Sequence, residues 1–164
     1  MDKRTDKQNY YLDIADAVLE RSTCLRRKYG AIIVRNDEII STGYNGAPRG
    51  RRNCCDLGRC TREELCIHSG ERYELCRSVH AEANAIISAA RRDMLGGTMY
   101  LSGRDGKTGE LLTDTTSCSM CRRLIINAGL EKVVIRRTPT EYETISVREW
   151  VYDDDSLAGL PMDL

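Results

Sequence analysis

No apolar run in the 164-residue chain is long enough to cross a bilayer. Its opening residues, MDKRTDKQNYY, carry no apolar signal core. Both absences lead to the expectation of a cytoplasmic protein. Neither sign of charge is in excess: 25 Lys and Arg balance 25 Asp and Glu. Proteins that grip long nucleic acid usually carry a basic surplus to neutralise phosphates. The balance therefore favours a small substrate. No internal repeat and no second domain is visible, so residues 1–164 read as one domain, a length sufficient for a core. Apolar residues at 41% and charged residues at 30% are ordinary for a globular chain. Histidine is scarce, with only two.

Cysteine is plentiful. The eight are Cys24, Cys54, Cys55, Cys60, Cys66, Cys76, Cys118 and Cys121. Without an export signal, metal binding or catalysis is a better reading of them than disulfides. Charge is unevenly spread. Arg26, Arg27 and Lys28 form one basic cluster, Arg49, Arg51 and Arg52 another, and YDDDS near the C-terminus is acidic. A solvated surface is the default reading of any one of them.

Apolar periodicity predicts a helix over Tyr10 to Arg21. GAIIVRN and IISTGYNG, separated by DE, read as a two-stranded hairpin. Residues 46–78 show no clear period and hold five of the eight cysteines. So long a loop inside a compact domain needs something to hold it, and a metal would serve. A second helix is expected over Ala81 to Arg92, with Ala83, Ile86, Ile87 and Ala90 facing inward. GGTMYLSG reads as a strand, KTGE as a turn and ELLTD as a returning strand. A third helix runs from Cys118 to Ala128 and stops at Gly129. KVVIRR reads as a further strand and SVREWVYDDDSL as a last short helix, within a C-terminal tail of about 138–164. Alternating strands and helices imply an α/β class with a central mixed sheet.

Two spacings carry chemistry. Cys118-Ser119-Met120-Cys121 is a C-x-x-C at a helix start. Its two thiolates point the same way and can share a zinc, although redox motifs use the same spacing. His80 also lies at a helix start, 38 residues earlier. One imidazole and two thiolates leave a fourth position open for water, the pattern of a catalytic zinc that brings water's pKa toward neutrality. Glu82, two residues from His80, can move that water's protons without ligating the metal. By itself Glu82 would read as a first-turn glutamate favoured by the helix dipole.

H-x-E followed by C-x-x-C is the signature of the zinc-dependent nucleobase deaminases. With GAIIVRNDEIISTGYNGAPRG, NCCD, ELCRSVHAEANAII and CSMCRRLIINAG, the chain resembles the cytidine and deoxycytidylate deaminase superfamily over about residues 10–136. Within it, the resemblance is strongest to the deoxycytidylate (dCMP) deaminases. It implies a three-layer α/β/α fold around a mixed five-stranded sheet. It implies zinc on His80, Cys118 and Cys121, with Glu82 as the proton shuttle. It also implies a sugar contact from Asn45 and a pyrimidine contact from the Ala81 backbone. On its residue type alone, Asn45 reads equally well as a turn residue before Gly46.

Several dCMP deaminases carry a structural zinc in the cysteine-rich region. Cys24 and Cys54 match its ligands by position, and Cys60 and Cys76 are the candidates to complete a four-thiolate site. Cys55, Cys66 and His68 stand in reserve. The alternative is a set of free thiols packed as small apolar residues.

The reaction implied is hydrolysis of dCMP to dUMP with release of ammonia. The alternatives are deamination of another cytosine nucleotide or nucleoside (CMP, dCTP or cytidine), of adenosine in transfer RNA, or a silent zinc-stabilised nucleotide-binding module. A dCMP enzyme must hold a phosphate dianion, and Arg26 is the candidate for it. The family further suggests dCTP and dTTP as effectors at a subunit interface of a homo-oligomer, with Arg91 placed where an interface residue would lie. Two departures stand out. Ser117 replaces the family's proline before C-x-x-C, where serine suits an N-cap. The tyrosine expected just after KVVIRR is displaced to Tyr142.

Overall fold

Asp6 starts the first helix by accepting the Asn9 backbone N–H at 3.0 Å. The structure is a computed structural model that describes residues 3–154. The helix, α1, spans Lys7–Leu19, beginning three residues before the expected start. The hairpin follows as β1 (Arg27–Arg35) and β2 (Glu38–Tyr44). Asn36 and Asp37 turn it with positive φ, the conformation a two-residue hairpin loop demands.

The chain between the hairpin and His80 has only short elements. These are α2 (Cys54–Leu57), α3 (Thr61–Glu64) and a 3₁₀ turn at Tyr73–Leu75. Then come α4 (Ala81–Ile87), α5 (Arg91–Met94), β3 (Thr98–Asp105) and α6 (Ser119–Ala128). The chain finishes with β4 (Lys132–Arg136), β5 (Tyr142–Ser146) and α7 (Val147–Tyr152).

The five strands lie in the order β2-β1-β3-β4-β5. Only β3 and β4 run parallel; the other neighbours are antiparallel. Along β1 every residue from Gly30 to Val34 is buried. The strand is therefore covered on both sides, and its side chains divide by the two-residue period. Ile32 and Val34 join Tyr11, Leu12 and Ala15 beneath α1. Ala31 and Ile33 join Ala81, Ala85, Leu101 and Ile125 beneath α4 and α6. The architecture is the expected α/β/α sandwich.

Gly43 in β2 decides how near α4 can come. A Cβ there would sit 2.3 Å from Ala81 O and Ala85 N. Any larger residue would push away the helix that begins with His80.

Three expectations need correction. ELLTD does not form a strand. The Asp105 carboxylate accepts the Lys107 and Thr108 N–H groups at 2.8 and 2.9 Å, curling the chain so that only one bridge, Arg104 to Leu111, forms. The fifth strand comes instead from Tyr142–Ser146, pairing with β4. Second, the helix expected over 81–92 breaks after Ile87. Ser88 Oγ donates back to Asn84 O at 2.8 Å, a bond that competes with continuation. Third, the buried stripe of α4 is Ala81, Glu82 and Ala85. Ile86 packs at its edge, whereas Ile87 is 74% exposed and Ala90 is exposed as well. The apolar letters suggested a face rotated from the one that meets the sheet. The expected last helix forms only over Val147–Tyr152, and the end of SVREWVYDDDSL lies outside the described residues. No described helix is long and apolar enough to cross a membrane.

Candidate metal and catalytic site

His80 and Cys118 occupy equivalent places. Each is the N-cap of a helix, α4 and α6, with extended backbone. Cys121 lies in the first turn of α6 and is buried. The chain entering His80 is clamped to the chain leaving β2. Gly46 N–H donates to Val79 O at 3.2 Å and Val79 N–H donates to Gly46 O at 2.7 Å. The chain entering Cys118 is held by two arginines. Arg137 donates to Thr113 O and Thr115 O at 3.1 and 2.5 Å, and Arg122 Nε donates to Ser117 O at 3.0 Å. These bonds tie down the segment on the N-terminal side of Cys118. Ser117 is not the helix cap. Cys118 takes that place, and the Ser117 side chain is buried close to the Glu82 carboxyl.

The geometry fits zinc. Cys118 Sγ and Cys121 Sγ lie 3.5 and 3.4 Å from His80 Nδ1. Three ligand atoms, one per residue, all lie within 4.8 Å of one another. Tetrahedral zinc with bonds of about 2.3 Å to sulfur and about 2.0 Å to nitrogen sets adjacent ligand atoms roughly 3.5 Å apart. Among the described residues this is the group of three or more metal-type side chains gathered so closely.

The electrostatics follow from the same contacts. A hydrogen bond from Cys121, aided by His80, holds the Cys118 thiol down at about 4 despite its burial. Cys121 is pushed up, because it shares its proton with Cys118 and is buried. The His80 imidazole is raised by its bond to Cys118, against burial, with the Glu82 charge assisting. Glu82 is itself buried, and that burial pushes its carboxyl above the ordinary carboxylate range. A carboxyl that binds its proton more tightly than usual, beside a metal-ligand set, is suited to carry a proton between two partners.

His80, Cys118 and Glu82 open onto one cleft. Asn45 and Arg26 line it, and so do Cys24, Cys60 and Cys76. The Asn45 carboxamide is largely engaged by the protein. Its Oδ1 accepts from Ser22 Oγ at 2.5 Å and from the Tyr29 N–H at 2.8 Å, while Nδ2 donates to Arg27 O at 2.8 Å. One Nδ2–H is left for a ligand. Ala81 is fully buried beneath Gly43. Arg26 Nε pairs with Glu63 at 3.3 Å.

Cys54 is a buried neighbour of Cys24, Cys60 and Cys76. Its thiol is raised first by burial and then by the charges of those three. The four are not drawn together as tightly as the His80 set. The reserve candidates Cys55, Cys66 and His68 are exposed. Arg91 donates to Asn127 O at 2.7 Å, tying α5 to the end of α6. Two further residues of the cleft, Arg62 and Tyr73, carry no signal in the sequence. They stand in the stretch without periodicity, and only the folded chain shows that they face the site.

A family model described as the cytidine and deoxycytidylate deaminase zinc-binding region matches residues 5–137. The deoxycytidylate deaminase of Mycobacterium phage D29 is 36% identical over 135 residues, covering 80% of this chain and 94% of that protein. The deoxycytidylate deaminase of Schizosaccharomyces pombe is 34% identical over 131 residues, covering 80% of this chain. This chain spans only 37% of the yeast protein's length. Among solved structures, dCMP deaminase from the cyanophage S-TIM5 superposes with a TM-score of 0.56 at 25% identity, covering 82% of this chain and 85% of that one. That protein has also been solved in complex with dCMP and dUMP. A cytidine deaminase from Burkholderia pseudomallei has a TM-score of 0.58 at 18% identity, covering 88% of this chain and 95% of that one, a likeness of fold alone.

Proposed function

The chain belongs to the cytidine and deoxycytidylate deaminase family, and from that premise we propose that it hydrolyses dCMP to dUMP and ammonia. The observation that carries this reading is the His80–Cys118–Cys121 set with Glu82 buried beside it at the floor of one cleft. His80 Nδ1 and the two thiolates would hold a zinc ion. When bound, zinc supplies Lewis-acid activation of a water at neutral pH.

The rest falls to this chain's own residues. Glu82 accepts one proton from the attacking water and delivers it to the ring nitrogen, then takes the second proton from the hydroxyl now on the ring carbon and delivers it to the departing amine. The bond from the ring carbon to the exocyclic nitrogen breaks, water's oxygen takes its place, and ammonia leaves. Burial keeps solvent from competing for the Glu82 proton and favours its neutral form between the two transfers. The remaining Nδ2–H of Asn45 donates to the sugar. The first turn of α4, begun by Ala81, presents backbone to the pyrimidine. Arg26, at the mouth, contributes positive charge toward the phosphate.

We extend the reading to a second zinc on Cys24, Cys54, Cys60 and Cys76: three of them line the cleft, and Cys54 is near enough for their charges to raise its thiol. We extend it also to a homo-oligomer with dCTP and dTTP as effectors. Exposed Ile87, Met120 and Leu124 on α4 and α6 provide apolar surface for such an assembly.

A panel of dCMP, CMP, dCTP and cytidine, followed by product analysis, tests the substrate. We expect dCMP to give dUMP and ammonia in equal amounts, with the others slower by at least an order of magnitude. Conversion of CMP or cytidine with dCMP untouched would sink the assignment. A silent binding module is disfavoured by Glu82, which is present, buried and adjacent to the metal-ligand set.

A further inference from the structure

The cleft brings together three arginines, and they differ in what already occupies them. Arg26 is partly exposed and pairs with Glu63 at 3.3 Å. Arg27 reaches the Tyr29 hydroxyl at 3.5 Å and Asp114 at 3.5 Å. Arg62 is 7% exposed and has no carboxylate partner among the described residues. Its Nη2 donates to two backbone carbonyls, His68 O at 2.8 Å and Glu71 O at 2.6 Å. Its Nε is sealed from solvent with no acceptor at all. A guanidinium has five donors and is always charged. Burying it beside neutral carbonyls alone costs free energy that an anion would offset.

The placement of Arg62 is also fixed relative to the chemistry. Its guanidinium carbon lies 4.5 Å over the Tyr73 ring. The Tyr73 ring meets the His80 ring edge-on, 5.0 Å between centres. A rigid stack therefore runs from the candidate metal ligand to the one arginine of the cleft that lacks an acidic partner. Both Arg62 and Tyr73 are supplied by the cysteine-rich segment, which roofs the cleft.

We propose that Arg62 is the residue that reads the substrate's 5′-phosphate, and that the cysteine-rich segment is the element that sets nucleotide over nucleoside. Arg26 then adds only long-range attraction at the mouth. The inference rests on the deaminase reading above and names the group by which that site tells its substrate from an unphosphorylated one.

The test compares wild type with Arg62→Gln and Arg62→Lys on dCMP and deoxycytidine, each protein checked for zinc content and melting temperature. Binding of inorganic phosphate is measured calorimetrically on the same proteins. In Arg62→Gln the preference for dCMP over deoxycytidine, as a ratio of kcat/KM, should fall about 30- to 100-fold. Phosphate binding should weaken at least tenfold. Arg62→Lys should recover only part of the preference, because a point charge replaces a planar fork. An equal loss on both substrates, with lowered melting temperature, would mean that Arg62 only braces the roof and would overturn the proposal. So would an unchanged preference, or phosphate binding that is absent from wild type or equal in wild type and variant. If wild type leaves dCMP untouched, the substrate assignment fails, while the phosphate titration still decides the role of Arg62.

Discussion

Two sets of metal-type side chains border one cleft, and the fold holds them by different means. His80 and Cys118 cap helices that pack on the buried face of the sheet, and Cys121 sits in the first turn of the second helix. Moving any of the three means moving a core-packed helix. Cys54 stands on α2 and Cys60 caps α3, helices of four residues each, and Cys76 ends a 3₁₀ turn. Cys24 lies in the irregular chain before β1. The first set is positioned by the core of the protein. The second depends on local turns, so a metal there would organise the roof rather than merely occupy it. On the proposed reading, chemistry that needs fixed distances rests on the first kind of support, and substrate reading, which tolerates adjustment, on the second.

The most damaging way to break this contrast is at Cys121. Replacement by Ser should lower zinc at the catalytic set by about one ion per chain and reduce turnover more than roughly 10³-fold. Metal analysis and a deamination assay on the same preparation check it. Asn45→Ala acts on the joint between the two regions, since its carboxamide ties Ser22, Arg27 and Tyr29 around Cys24. Leaving those buried groups unpaired should cost about 3 kcal/mol, roughly 6–12 °C in a thermal melt of a chain this long. Cys54→Ser probes the roof alone. If the proposed second zinc is held there, it should remove that zinc from the chain and raise KM for dCMP, while kcat changes less than about threefold. A fall in kcat as large as that of the Cys121 variant would erase the distinction between the sets.

The smallest effect concerns pH. In the metal-free protein, burial raises the Glu82 pKa above that of the unfolded chain. The folded state therefore keeps a proton that the unfolded state has released. Stability falls as pH rises from the ordinary carboxylate range toward the folded value of Glu82. Glu82→Gln escapes this penalty. It should melt a few degrees above wild type at neutral pH, and the difference should vanish in acid, where both states are neutral. Melting curves across that range check the sign.

How much of this was legible in the sequence depended on the kind of signal. β1, β2, β3 and β4 announce themselves as apolar, β-branched runs, and Gly129 ends α6 with positive φ where a stop was expected. The candidates His80, Glu82, Cys118 and Cys121 stand out in the sequence because metal chemistry fixes both residue type and spacing. Their convergence was not, since it requires two helix starts, 38 residues apart, to meet over the sheet. The break after Ile87 depends on one hydroxyl bonding backward, and β5 is a mostly exposed strand that lacks an apolar pattern. Arg62 was illegible for a different reason. A lone arginine in an aperiodic stretch reads as surface, and only burial without a carboxylate partner sets it apart.

The central claim is that Glu82 moves the protons while His80, Cys118 and Cys121 hold the metal. It is tested most directly by assaying zinc-loaded wild type and Glu82→Ala on dCMP, with dUMP, ammonia and bound zinc quantified together. Wild type should yield dUMP and ammonia in equal amounts, and the variant should retain its zinc yet lose turnover by about 10²–10⁴-fold. A variant that keeps both its zinc and the wild-type rate would contradict the account.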